Sequence, residues 1–152
     1  MRTLTPLTRQ RGLALVETAI TLPFLLFVML AATEFTNAFV QHTTLTKAVR
    51  DGARWAAEEA IDGTDTFSLP AALQDEARNL VVYGNRLGAG TPILNGLTVA
   101  NVTVTDVGGE NIEVSVNYPY PGIFGSVLPS FGYGSNISLL FNMSATVTMR
   151  AL

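Results

Sequence analysis

The chain has no cysteine, one histidine and one tryptophan. Without cysteine there is no disulfide framework and no thiol chemistry, and with a single histidine a zinc site lacks most of its usual ligands. Charge is scarce as well. Only 14% of the 152 residues are Asp, Glu, Lys or Arg, against about a quarter in an ordinary soluble domain, while 48% are apolar. The net charge of -3 offers no basic surface for a nucleic acid. There is no glycine-rich phosphate loop, no Ser/His/Asp or Cys/His set, and no pair of carboxylates in an apolar pattern. The expectation is therefore a non-enzyme without cofactor, metal or small-molecule substrate, and with apolar surface to place.

Much of that surface lies near the N-terminus. Residues 1–12 form a basic leader containing Arg2, Arg9 and Arg11 and no acid. From Gly12 to Thr33 the chain reads GLALVETAITLPFLLFVMLAAT, 22 residues with one charge, Glu17. As a helix this run is about 33 Å long, enough to cross a hydrocarbon core of about 30 Å. Arginines before the span place the N-terminus on the cytoplasmic side and the rest outside. A cleaved secretory signal has a shorter apolar region and a small-residue cleavage site. Here Ala31-Ala32-Thr33 imitates such a site poorly, and the run passes unbroken into an amphipathic helix. A plain uncleaved anchor remains an alternative.

Glu17 separates a plain anchor from something more specific. A carboxylate in an apolar span costs about 2.5–3.5 kcal/mol on insertion scales and needs a partner or a purpose. It lies five residues after Gly12, and Gly12 closes the basic leader. That arrangement is the pattern of type IV prepilins. Cleavage after Gly12 would give Leu13 a new α-ammonium group, with Glu17 one helical turn along to neutralise the amine of a neighbouring subunit and set the assembly register. The alternative is a Glu17 near the interface that snorkels outward. Pro23 removes a helix hydrogen bond and crowds the carbonyl of Ala19, so a kink is expected there; a tolerated membrane proline is the plainer reading.

The run RGLALVETAITLPFLLFVMLAATEF, continuing to TLTKAVRDGARWAA, resembles TadE-like proteins of tight-adherence (Tad/Flp) pilus systems. The resemblance is carried by Gly12 and Glu17, Leu22-Pro23, Phe35, and Val49-Arg50-Asp51-Gly52-Ala53-Arg54. It continues more weakly through Ala77-Arg78-Asn79-Leu80, Tyr83-Gly84 and Ala145–Arg150. Thr18 departs from it, since prepilins of this class often have an aromatic there. The resemblance implies a minor pilin (pseudopilin) processed by a prepilin peptidase. Its partners would be other pilins, the pilus assembly platform and membrane lipid, and its role adherence. A stationary, single-pass interaction module of the envelope is the alternative function.

Beyond the span, apolar and small residues recur at helical spacing through Ala38, Phe39, His42, Leu45, Val49, Gly52, Ala53, Ala56 and Ala60. The spacing predicts an amphipathic extension over 34–62, ending near Ile61–Gly63, with His42 as a partly buried packing residue and Trp55 covering the head. Glu58, Glu59, Asp62 and Asp65 fit no calcium loop and read as a solvated helix end. A second helix is expected from Ser68 or Leu69 to Tyr83, capped by Ser68, with Pro70 in the first turn and Gly84 at the end. Residues 88–96 read as loop.

The period then changes to 2. Val99–Val107 and Ile112–Tyr118 form a hairpin about Gly108-Gly109, and Ile137–Met149 is expected to be one long strand. Asn101, Asn136 and Asn142 match a short glycosylation pattern and read as outward polar positions. Between the strands, Pro119–Ser135 is a 17-residue loop with four aromatics, Tyr120, Phe124, Phe131 and Tyr133. It is read either as a contact surface or as a cap on the core. The expected architecture is α+β. A long N-terminal helix (13–33 transmembrane, 34–62 amphipathic) leads to a head (63–152) in which one helix covers an antiparallel sheet of three or more strands.

Overall fold

The computed structural model describes residues 8–61 and 66–151. The first seven residues of the basic leader, and Asp62 and Asp65 of the acidic cluster, lie outside them. The chain opens on one helix of 52 residues, α1 (Thr8–Glu59). A second helix, α2 (Ala71–Tyr83), is followed by a 3-10 turn (Val99–Asn101) and the strands β1 (Val102–Gly108), β2 (Asn111–Pro119), β3 (Val127–Leu128), β4 (Ile137–Ser138) and β5 (Asn142–Arg150). The α+β architecture expected from the sequence is present.

β2 is the centre of a three-stranded antiparallel sheet of order β1-β2-β5. Its register sets Val116 opposite Val102 and Ala145, and Val114 opposite Val104 and Val147. Ile112, Val114, Val116 and Tyr118 therefore share one face, and all four are buried against the helices. The β1–β2 turn uses Gly108, Gly109 and Glu110 at positive φ, conformations open to glycine at little cost.

The covering layer is built from small residues. Leu45, Val49, Ala53 and Ala56 of α1 and Ala60 just after it are fully buried, and Leu73, Ala77, Val81 and Val82 of α2 are buried with them. Gly52 sets the distance between the helices: a Cβ there would stand 2.5 Å from Val81 Cγ2 and 3.1 Å from the Ala77 carbonyl. Trp55 packs half-buried against this core with the Arg86 guanidinium 4.4 Å above its ring.

Several boundaries differ from the sequence reading. His42 and Phe39 are exposed, because the buried stripe passes instead through Gln41, whose side-chain amide lies 3.1 Å from the Tyr118 hydroxyl. α1 stops at Glu59; Ile61 instead pairs with Phe67, and the Ala60 carbonyl accepts the Ser68 amide. Ser68 is thus no cap: Pro70 takes the N-cap position of α2, without a side-chain bond. Val99–Asn101 curls into a 3-10 turn because Asn101 Oδ1 accepts from the amide and hydroxyl of Thr98, so β1 begins at Val102. The single strand expected over 137–149 is broken at 139–141. Its first part pairs with β3, and a tight turn from the Phe141 amide to the Leu139 carbonyl redirects the chain into β5.

Gly52 supplies the test of this packing. Gly52→Val should destabilise the head by about 1–3 kcal/mol through overpacking against Val81. Gly12→Val, at a position where an added Cβ meets nothing, should leave stability unchanged. Chemical denaturation of the full chain in detergent, followed by near-ultraviolet circular dichroism, separates the two.

Candidate functional site

The N-terminal part of α1 is apolar on all sides. Leu13, Leu15, Val16, Ile20, Leu22, Leu25 and Met29 are each more than half exposed, and this is the one helix among the described residues long and apolar enough to cross a membrane. A helix apolar all round needs either a protein core or a bilayer around it. Its threonines fit an apolar surrounding. Thr18, Thr21 and Thr33 each donate a hydroxyl proton to the carbonyl four residues back, at 2.8–2.9 Å, so none presents an unsatisfied donor.

The candidate site residues sit on this helix and in the loop after β2. Gly12 and Leu13 lie within α1, and Glu17 is exposed on it one turn further on. Pro23 lies inside the helix and is half-buried. Among the described residues the Glu17 carboxylate meets no other polar side chain; only its backbone carbonyl is engaged, by the Thr21 hydroxyl. Gly12 in particular has open space around its Cα, so internal packing does not demand a glycine there.

The loop does not stand free. Residues 121–141 form a finger, held together by the β3–β4 pair, that runs back along α1. Tyr120 at its root is buried and stacks on Phe141 with ring centroids 5.0 Å apart. At its tip the Tyr133 hydroxyl donates to the Ile20 carbonyl at 2.5 Å, and the Tyr133 ring meets Phe24 edge-on at 5.9 Å. Phe124, Phe131 and Tyr133 keep 40–50% of their surface exposed.

Sequence reasoning passed over the group that fixes the finger. Glu34, just past the apolar run, is 4% exposed. Its carboxylate accepts the Tyr120 hydroxyl at 2.7 Å, the Ile123 amide at 3.1 and 3.2 Å, and the Phe124 amide at 3.4 Å. A buried carboxyl group whose oxygens meet several donors avoids the cost of a polar group left without partners. Asn37 Nδ2 donates to the same phenol at 2.8 Å. Gly122 makes the approach possible, since a Cβ there would lie 2.8 Å from Glu34 Oε1. Burial pushes the Tyr120 phenol above its usual value, and the bond to Glu34 adds to the rise while that from Asn37 opposes it. The Tyr118 phenol is raised by burial and donates to the Asn95 carbonyl at 2.7 Å. The only signal of Glu34 in the sequence is an acid directly after an apolar span; its partners lie 86–90 residues away.

Residues 12–54 match the family model of TadE-like protein. The TadE-like segment thus begins at Gly12, takes in Glu17, Pro23 and Glu34, and ends within the small-residue face that packs on α2. No curated protein and no solved structure gives a significant match to the chain. Within the TadE-like segment the Val49–Arg54 motif divides by face. Val49, Gly52 and Ala53 are buried, and Arg50, Asp51 and Arg54 are exposed, with Arg54 bonded to Glu58 at 2.8 Å.

Removing the Glu34 carboxylate should release the finger before the sheet. In Glu34→Ala, loss of charge-assisted bonds worth about 1.5–3 kcal/mol should speed amide exchange at Ile123 and Phe124 by roughly 10- to 100-fold. Exchange at Val114 in β2 should stay as it was. Hydrogen-exchange mass spectrometry or NMR reads both, and equal acceleration at Val114 would mean that Glu34 supports the whole head.

Proposed function

We propose that the chain is a minor pilin (pseudopilin) that takes part in assembly of a Tad/Flp-type pilus used for adherence. One observation carries the reading: the TadE-like match starts at Gly12 itself and runs through an apolar helix with exposed flanks and a lone carboxylate at Glu17. A prepilin peptidase cuts after Gly12, and Leu13 becomes the N-terminal residue. Before assembly α1 anchors the chain in the inner membrane, with the basic leader cytoplasmic and the head on the far side. In the pilus the helix leaves lipid and packs among the helices of other pilins, and the assembly platform drives the transfer.

Glu17 has a defined task in this scheme. Charge in a low-dielectric helix bundle is tolerated when paired and costly when alone. The Glu17 carboxylate of one subunit and the Leu13 ammonium of its neighbour satisfy each other only at one axial register. Pro23 loosens the helix six residues further on, which allows α1 to bend between bilayer and fibre.

The scheme stands on processing. N-terminal sequencing, or intact mass, of the protein from its native membrane should find Leu13 first. A chain that keeps its basic leader beside a working prepilin peptidase points instead to a stationary envelope module. In the processed protein, Glu17→Gln should still insert, since a charge leaves the span, but should be depleted from sheared pili.

A further inference from the structure

The finger reaches the wrong depth for a loop of a water-borne head. Tyr133 touches Ile20 and Phe24, and Ile20 lies 13 residues before Thr33, the last residue of the apolar run. At the helical rise this is about 20 Å along α1. Whatever surrounds α1 at Ile20 surrounds the tip of the finger as well.

Its composition suits that layer. Between Glu113 and Arg150 the chain has no charged side chain and no histidine. Ile123, Phe131, Tyr133, Ile137, Leu140 and Phe141 are 44–75% exposed, a concentration of large apolar side chains on one short segment that calls for an apolar neighbour.

Irregular backbone is excluded from hydrocarbon when its polar groups are unsatisfied, and a good part of the finger's are paired within the protein. The Ile123 and Phe124 amides donate to Glu34. Those of Gly125, Tyr133, Leu139 and Phe141 donate to carbonyls within the finger. The Ser130 amide and hydroxyl are taken up by Asn136 and Gly134. Pro121 and Pro129 have no amide proton to lose. The Tyr133 hydroxyl donates to the Ile20 carbonyl.

Resting on the reading of α1 as a membrane anchor, we propose that the finger is a second membrane-immersed element. It lies against α1 in the leaflet on the head side, with Ile123, Phe124, Phe131, Ile137 and Leu140 against lipid acyl chains. Glu34 and Tyr120 fix it at the level where the helix emerges. Lipid is favoured over a second copy of the chain because the finger is continuous with α1's own apolar surface and shares its depth. The chain is then held by a helix and a wedge, and departure from the bilayer requires both to leave.

The test uses the full chain in vesicles of phosphatidylcholine with a minority of phosphatidylglycerol, with or without bromine on the acyl chains. Trp55, on the outer half of α1 against the head core, gives the baseline emission of the unmodified protein. Phe24→Trp reports the span; Phe131→Trp and Phe124→Trp report the tip and root of the finger, two sites in case one perturbs folding. Brominated lipid should remove most of the emission added by all three substitutions, and aqueous iodide should remove little of it. Quenching of Phe24→Trp by lipid, with the two finger variants open to iodide, overturns the proposal and leaves the anchor standing. Finger variants shielded from both quenchers place a second protein copy over the finger and overturn it too. If Phe24→Trp itself escapes the brominated lipid, the anchor reading fails and the finger proposal with it.

Discussion

One helix has to satisfy two surroundings with a single unbroken backbone. Over its first half α1 exposes apolar side chains in every direction, and over its second half it buries one narrow stripe of small residues against α2 and the sheet. No loop intervenes to uncouple the halves. The orientation of the head relative to the apolar segment is therefore fixed by the helix itself. Glu34 sits at the changeover, where an acid can be both the last polar group before the apolar run and the acceptor that ties the head's longest loop to the helix.

The small-residue stripe explains how a head of this size holds together. Alanine and glycine at positions 52, 53, 56, 57 and 60 bury little area each, yet they let α2 and the central strand approach α1 closely. The close approach gives the larger side chains of β2 something to pack on. Tyr118, the largest fully buried side chain, spans the gap, its hydroxyl shared between Gln41 and the Asn95 carbonyl. The head thus depends on α1, and cutting the helix away would expose the inner face of the sheet.

The sequence displays what is governed by composition or by a long period. The apolar run, the Leu45–Ala60 stripe and the alternation of β2 are visible because many residues repeat one signal. Single polar groups that answer to distant partners are not visible. Gln41 lies on the buried face because Tyr118 is across from it, and the periodicity of α1 alone pointed to His42 and Phe39. Alternation through Ile137–Met149 persists although the strand breaks, since β4 and β5 are both extended and only their partners differ. Of the site, Gly12, Glu17 and Pro23 stand out because each is an exception within an apolar run. Glu34 is no such exception, since it stands where the run ends, among Thr33, Thr36 and Asn37.

The central claim is that α1 is a bilayer segment up to about Glu34 and a protein core element beyond Leu45. Because the chain has no native cysteine, single cysteines placed along 13–60 can carry nitroxide labels in vesicles, with collisions measured against oxygen and a water-soluble nickel chelate. The expected profile is oxygen-rich and nickel-poor through residues 13–33. It should change past Glu34 to a helical period in which positions 45, 49, 53, 56 and 60 are protected from both reagents. A helical period of nickel access extending back through 13–33 would contradict the account, for it would make α1 a core helix along its whole length.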